Sequence, residues 1–169
     1  LRTKEAPFVP SENDRDRVSF LDCFPMEYPG NGVGDFRESC IAVRTQGGHV
    51  AVTPQYVSHE ILSEKPELQG LPATFAPDGA EAALIIHCED PVLHLGIDLL
   101  YSVFEKEDVI ARSVIVTNHA KEPVWLTKVF SACVDMDDND FEMVTLHGSW
   151  ARERQIEYRQ IGYGKQGVC

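Results

Sequence analysis

Between Pro91 and Glu105 the chain reads "PVLHLGIDLLYSVFE", and its apolar residues recur at every second position. Residues two apart share one face of a β-strand, whereas a helix needs a 3.6-residue period. Leu93, Leu95, Ile97, Leu99, Tyr101 and Val103 therefore face one way, and His94, Gly96, Asp98 and Ser102 face the other. A helix would scatter this pattern around its circumference. The segment must pair in a sheet with one side against a core.

Other runs repeat the pattern. "HVAVTPQYVSHEIL" (49–62) is rich in β-branched and aromatic residues, and "EAALIIHCED" (81–90) reads as a short buried strand. "DVIARSVIVTN" (108–118) and "PVWLTKVFSACVDM" (123–136) follow, joined by the turn chemistry of "NHAKEP". Breakers recur throughout: "YPGNGVG", "QGG", "KPELQGLP" and "APDG". Helical spacing never persists for three turns. Short strands punctuated in this way predict an all-β fold, an antiparallel β-sandwich with little helix.

The 169 residues suit a single domain, 1–169, and 43% hydrophobic content suffices for a core. Residues 1 to about 17 read as a solvated lead-in, without the apolar centre of a signal peptide. A formal charge of −12 repels phosphate backbones and anionic lipid, so no nucleic acid and no membrane are expected as partners. No apolar run approaches the roughly 20 residues that span a bilayer. Cys23, Cys40, Cys88, Cys133 and Cys169 are odd in number and lack CxxC spacing. Three of them lie in apolar runs, where a thiol acts as a small hydrophobe. Reduced thiols and a cytoplasmic setting are expected. The end, "YRQIGYGKQGVC", has no polar tail, which suggests a larger parent chain or a partner over the sheet edge.

Several motifs invite chemistry and fit a plainer role better. "YPGNGVGDFR" (28–37) lacks the Lys-Ser/Thr and the helix of a phosphate loop. Its glycines suit a tight loop with Asp35 and Arg37 paired across it. "DMDDNDFE" (135–142) is acidic, but Asp140 and Leu146 stand where a calcium loop needs Gly and Glu. Nothing shows two of its carboxyls converging as a glycosidase pair would. His49, His59, His87, His94, His119 and His147 form no HxH or HExxH pattern. No metal site and no catalytic residue are predicted.

"HGSWARERQIEYR" (147–159) is less easily dismissed. It reads as a loop entering a strand, and one face of that strand would carry Trp150, Arg152 and Arg154, with Glu153 and Glu157 behind. An indole beside forked donors suits a sugar, whose apolar ring face stacks while its hydroxyls meet polar groups. Cross-strand packing would use the same residues. Spacing leaves both readings open.

These residues also carry a resemblance. "DRVSFLD" (16–22), "EYPGNGVGDFR" (27–37), "KPELQGLPATF" (65–75), "VIARSVIVTN" (109–118) and "SACVDMDDNDFEMVTLHGSWARER" (131–154) occur in order along the chain. Together they resemble the N-terminal domain of glycoside hydrolase family 36 α-galactosidases of the bacterial raffinose and melibiose type. The resemblance implies a β-supersandwich ahead of a (β/α)8 barrel that holds both catalytic aspartates. The barrel motifs "KWD" and "DDGW" are absent here, so the chain is expected to be an N-terminal fragment, inactive alone.

The resemblance further implies that Trp150, in "GSWARER", lines a galactose pocket, and that Arg17, in "DRVSFLD", lies near it. Residues 1 to 16 hold no counterpart of the family's substrate-binding aspartate, which either precedes Leu1 or is missing in this member. Tetramers, in which N-terminal domains help complete a neighbour's pocket, are implied as well. The expected activity is retaining hydrolysis of terminal α-galactosides, with a galactoside as substrate, a homo-oligomer as assembly and no metal or cofactor. The rival expectation is a free-standing carbohydrate-binding or assembly module without catalysis.

Overall fold

In a computed structural model of the chain the described residues are 26–32, 38–70, 73–134, 136, 140–162, 164 and 166–167. They form eight strands and one single-turn 3-10 helix: β1 (Ile41–Thr45), β2 (Gln55–Leu62), β3 (Ala82–Asp90), β4 (Leu95–Phe104), the turn Glu105–Glu107, β5 (Val109–Asn118), β6 (Val124–Val129), β7 (Glu142–Ser149) and β8 (Arg152–Gln160). The fold is all-β and every strand pairing is antiparallel, as the alternation predicts. No helix among the described residues is long and apolar enough to cross a membrane. The chain divides into two compact units, Leu1–Val134 and Asp135–Cys169.

In the first unit, β2-β3-β4-β5 form a four-stranded meander, and β1 pairs with β6 in a second sheet. Strand β4 supplies Leu95, Ile97 and Leu99 to the core. Ile41 and Val43 of β1, with Tyr28, Cys40, Val52, Cys88 and Leu93, complete it. Fully burying one such aliphatic side chain contributes about 1.5–3 kcal/mol. Alternation holds along β4 only as far as Leu99. Beyond it, Leu100, Ser102 and Phe104 are buried on the opposite side and Val103 is exposed.

Polar groups fix the turns. Asp90 ends β3 and is 3% exposed, which is costly for an acidic side chain without partners. Its Oδ1 accepts from the N–H groups of Val92 and Leu93, both at 2.9 Å, and its Oδ2 from Thr53 N–H at 2.7 Å. Three charge-assisted bonds offset desolvation and shape the link into β4. Gly30 admits the Val52 carbonyl where no side chain fits, since a Cβ there would overlap Val52.

A second polar cluster ties the loop at Glu27 to the sheet. Arg112 Nη2 lies 2.6 Å from Glu27 Oε1, and Tyr101 donates to the same oxygen at 2.5 Å. The Arg112 guanidinium stacks 4.6 Å from the Tyr101 ring centre, and its Nη1 reaches the Cys133 carbonyl at 3.4 Å. Tyr28 donates to the Phe130 carbonyl at 2.9 Å. Residues 27, 28, 101, 112, 130 and 133 are thereby knitted together across more than a hundred positions of sequence.

Candidate functional site

Strands β7 and β8 form the hairpin of the second unit, and its two faces differ. Leu146 opposes Ile156 and Val144 opposes Tyr158, each more than half exposed. The other face carries ions: His147 Nε2 lies 2.8 Å from Glu157 Oε2 and 2.7 Å from Thr145 Oγ1, and Arg159 donates to Glu157 Oε1 at 2.9 Å. The Arg159 hydrogen bond, followed by its charge, holds the Glu157 carboxyl below the usual range. A two-stranded hairpin is marginal by itself in water, so these cross-strand pairs matter to it.

The hairpin tip departs from the strand read in the sequence. Trp150 and Ala151 are turn residues between Ser149 and Arg152, which oppose one another. Ala151 has φ 64° and Arg154 has φ 60°, both in the left-handed region that disfavours a Cβ. The register shifts between His147 and Ser149, a β-bulge at Gly148. Arg154's left-handed backbone interrupts the alternation that would align it with Arg152. The expected row of Trp150, Arg152 and Arg154 on one strand face is thus not formed; a turn and a bulge replace it.

The consequence is an indole held out from the chain. Trp150 is 94% exposed. Ala151 N–H donates to Glu153 Oε1 at 2.9 Å, which ties the turn. Among the described residues, neither the Arg152 nor the Arg154 guanidinium has an ion-pair or hydrogen-bond partner. The tip thus offers an exposed apolar plate. Non-glycine residues at positive φ cost about 1–3 kcal/mol each and persist where the surroundings impose them. Arg17, the other predicted sugar contact, lies outside the described residues, as do Asp35 and Arg37 and most of the acidic run 135–139.

A second aromatic, Trp125 on β6, was not singled out by the sequence. It lines a shallow open depression with Arg44, Thr45, Gln46 and Gly48. Arg44 opposes Trp125 across the strands, and its guanidinium lies 5.5 Å from the ring centre. That ring is therefore partnered within the protein, unlike Trp150. Its signal in the sequence is indirect: an arginine and a tryptophan on two separate runs that only the register brings together. Among the described residues Cys40, Cys88 and Cys133 are free thiols. Burial pushes Cys88 up to about 11, and burial followed by the nearby Cys133 pushes Cys40 up to about 12, so both stay protonated and unreactive. No group of three or more His, Cys, Asp or Glu among the described residues could hold a metal ion.

Residues 2–168 match the glycosyl hydrolase family 36 N-terminal domain. Alpha-galactosidase 2 of Hypocrea jecorina is 40% identical over 141 residues, which cover 83% of this chain and 19% of that protein. Alpha-galactosidase Mel36A of Lactobacillus acidophilus is 41% identical over 150 residues, 88% of this chain and 20% of the relative. The crystal structure of the α-galactosidase AgaA from Geobacillus stearothermophilus superposes with a TM-score of 0.81 at 34% identity, covering 97% of this chain and 24% of that one. AgaA variants in complex with raffinose and with stachyose give TM-scores of 0.80. The chain thus spans about a fifth to a quarter of the length of the proteins it matches.

Proposed function

This chain belongs to the glycosyl hydrolase family 36 N-terminal domain family, and on that premise we propose that it forms the N-terminal part of an α-galactosidase. The parent enzyme hydrolyses terminal non-reducing α-D-galactosides, melibiose and raffinose-type oligosaccharides among them. The part described contributes a wall of the substrate pocket and a surface for oligomer assembly. The observation that carries this reading is the Trp150 indole, 94% exposed at a turn of left-handed backbone.

The division of labour follows from the chemistry. Retaining hydrolysis uses a nucleophile and an acid/base on carboxyls about 5–5.5 Å apart. Both lie on a catalytic barrel outside residues 1–169, so this chain alone is inactive. What its own residues supply is position and dryness. Trp150 stacks on the apolar face of a pyranose, at little entropic cost because an indole has two side-chain torsions. Arg17 is proposed as a further contact with the sugar. Held this way, the sugar presents its anomeric carbon to the nucleophile, and water is excluded from one side.

The exposed apolar side of the hairpin, Val144, Leu146, Ile156 and Tyr158, supports a role in assembly. A homotetramer in the cytoplasm is the setting proposed for the whole enzyme. Titrating the isolated chain with galactose and raffinose, followed by tryptophan fluorescence, tests the reading. An incomplete wall gives weak or absent binding. Firm binding overturns it in favour of a free-standing carbohydrate-binding module.

A further inference from the structure

His87, on β3, stands between two carboxylates of the neighbouring strands. Its Nδ1 lies 2.7 Å from Asp98 Oδ1 on β4, and its Nε2 lies 2.9 Å from Glu60 Oε1 on β2. The register explains how three distant residues meet. Asp98 opposes His87 directly, and Glu60 falls near the ring because a bulge at Val57 shifts the pairing of β2. The imidazole spans from one outer strand of the described sheet, across β3, to β4.

We infer that His87 is a proton-operated clamp that fastens the outer strand β2 to β4 through its two ring nitrogens. An imidazolium carries N–H on both nitrogens and satisfies both carboxylates. Loss of one proton leaves a lone pair facing one of them. The Asp98 contact is the shorter, and its carboxyl is 33% exposed against 55% for Glu60. The neutral ring therefore keeps Nδ1–H on Asp98 and turns its lone pair to Glu60, which swings into water. β2 is the strand released.

The surroundings favour the charged ring. On that face of the sheet β2 presents Ser58 and Glu60, β3 presents Ile85 and Glu89 beside His87, and β4 presents Gly96 and Leu100 beside Asp98. β5 adds Ser113, Ile115 and Thr117, and just past its end the His119 ring lies over Gly96 on the same face, a further titratable group near Asp98. Glu89 and His94 form a separate contact at 4.0 Å. His59 belongs to the other face, 2.7 Å from the Tyr56 hydroxyl. The Asp98 hydrogen bond comes first in raising His87, and partial burial opposes it. A raised histidine stabilises fully below the ordinary imidazole range, and the clamp is lost as pH climbs through the raised value.

Hydrogen exchange of the 169-residue chain tests this between about pH 6 and about pH 9, either side of the imidazole range. Amides of residues 58–62 are read as a ratio to those of residues 97–101, so that base catalysis of exchange cancels. Relative protection of β2 falls severalfold as pH rises, while ring nitrogen shifts report deprotonation at Nε2. His87→Gln shows low β2 protection at every pH. Glu60→Gln, on the exposed side, flattens the slope and keeps the test intact if His87→Gln does not fold. A wild-type ratio that stays flat with pH, or a ring neutral throughout, overturns the clamp.

Discussion

Gly148 and Glu153 meet so closely across the hairpin that a Cβ on Gly148 would lie 2.8 Å from Glu153 Cα. Real Cβ atoms do not approach backbone at that distance. Gly148→Ala must therefore open the bulge that sets the angle of the Trp150 turn. A local cost of about 1–3 kcal/mol is expected, typical of a substitution that forces backbone aside. Loss of cross-strand nuclear Overhauser contacts between Leu146 and Ile156, with those of β3 and β4 retained, is the outcome to look for.

Asp90 anchors the turn into β4. Asp90→Ala strips the partners from three N–H groups, those of Thr53, Val92 and Leu93. Buried donors left unsatisfied cost about 1–3 kcal/mol each, and relaxation of the exposed turn lowers the sum, so about 2–4 kcal/mol is expected. Urea unfolding should show a lower midpoint with an unchanged slope.

Alkaline pH loosens the first unit through two tyrosines. Burial raises Tyr28, and burial followed by the Glu27 bond raises Tyr101. A group raised on folding binds its proton more tightly in the native state. Stability is therefore whole below the unfolded tyrosine value of about 10 and falls as pH rises beyond it. Phenolate absorbance at alkaline pH should show these two ionising only as the fold is lost. Tyr28→Phe with Tyr101→Phe should remove that late step.

Much of this architecture was open to reading from residue order. Leu95, Ile97 and Leu99 announce β4 because burial on one face imposes a period of two. The pattern misleads at Leu100 and Ser102, whose burial depends on tertiary cover that no local period encodes. Arg112 left a usable trace, a lone cation on the inward side of "VIARSVIVTN", and its partners Glu27 and Tyr101 could not be named without the register. The turn at the tip is hard to place because "SWAR" holds no glycine or asparagine; Ala151 takes the left-handed conformation against its own preference. Gly148 was the legible warning. His87 carries no signal of its own in the sequence, since its bridge to positions 60 and 98 appears only once the strands are aligned.

The account rests on Trp150 touching sugar, and kinetics of the full-length enzyme on raffinose test that most directly. Trp150→Ala should lower kcat/KM by roughly 10–100-fold, about 1.4–2.7 kcal/mol of transition-state binding, with oligomeric state unchanged. Trp150→Phe, which keeps an aromatic plate, should recover most of the loss. Unaltered kinetics in an intact Trp150→Ala assembly would contradict the account and leave the indole without a part in catalysis.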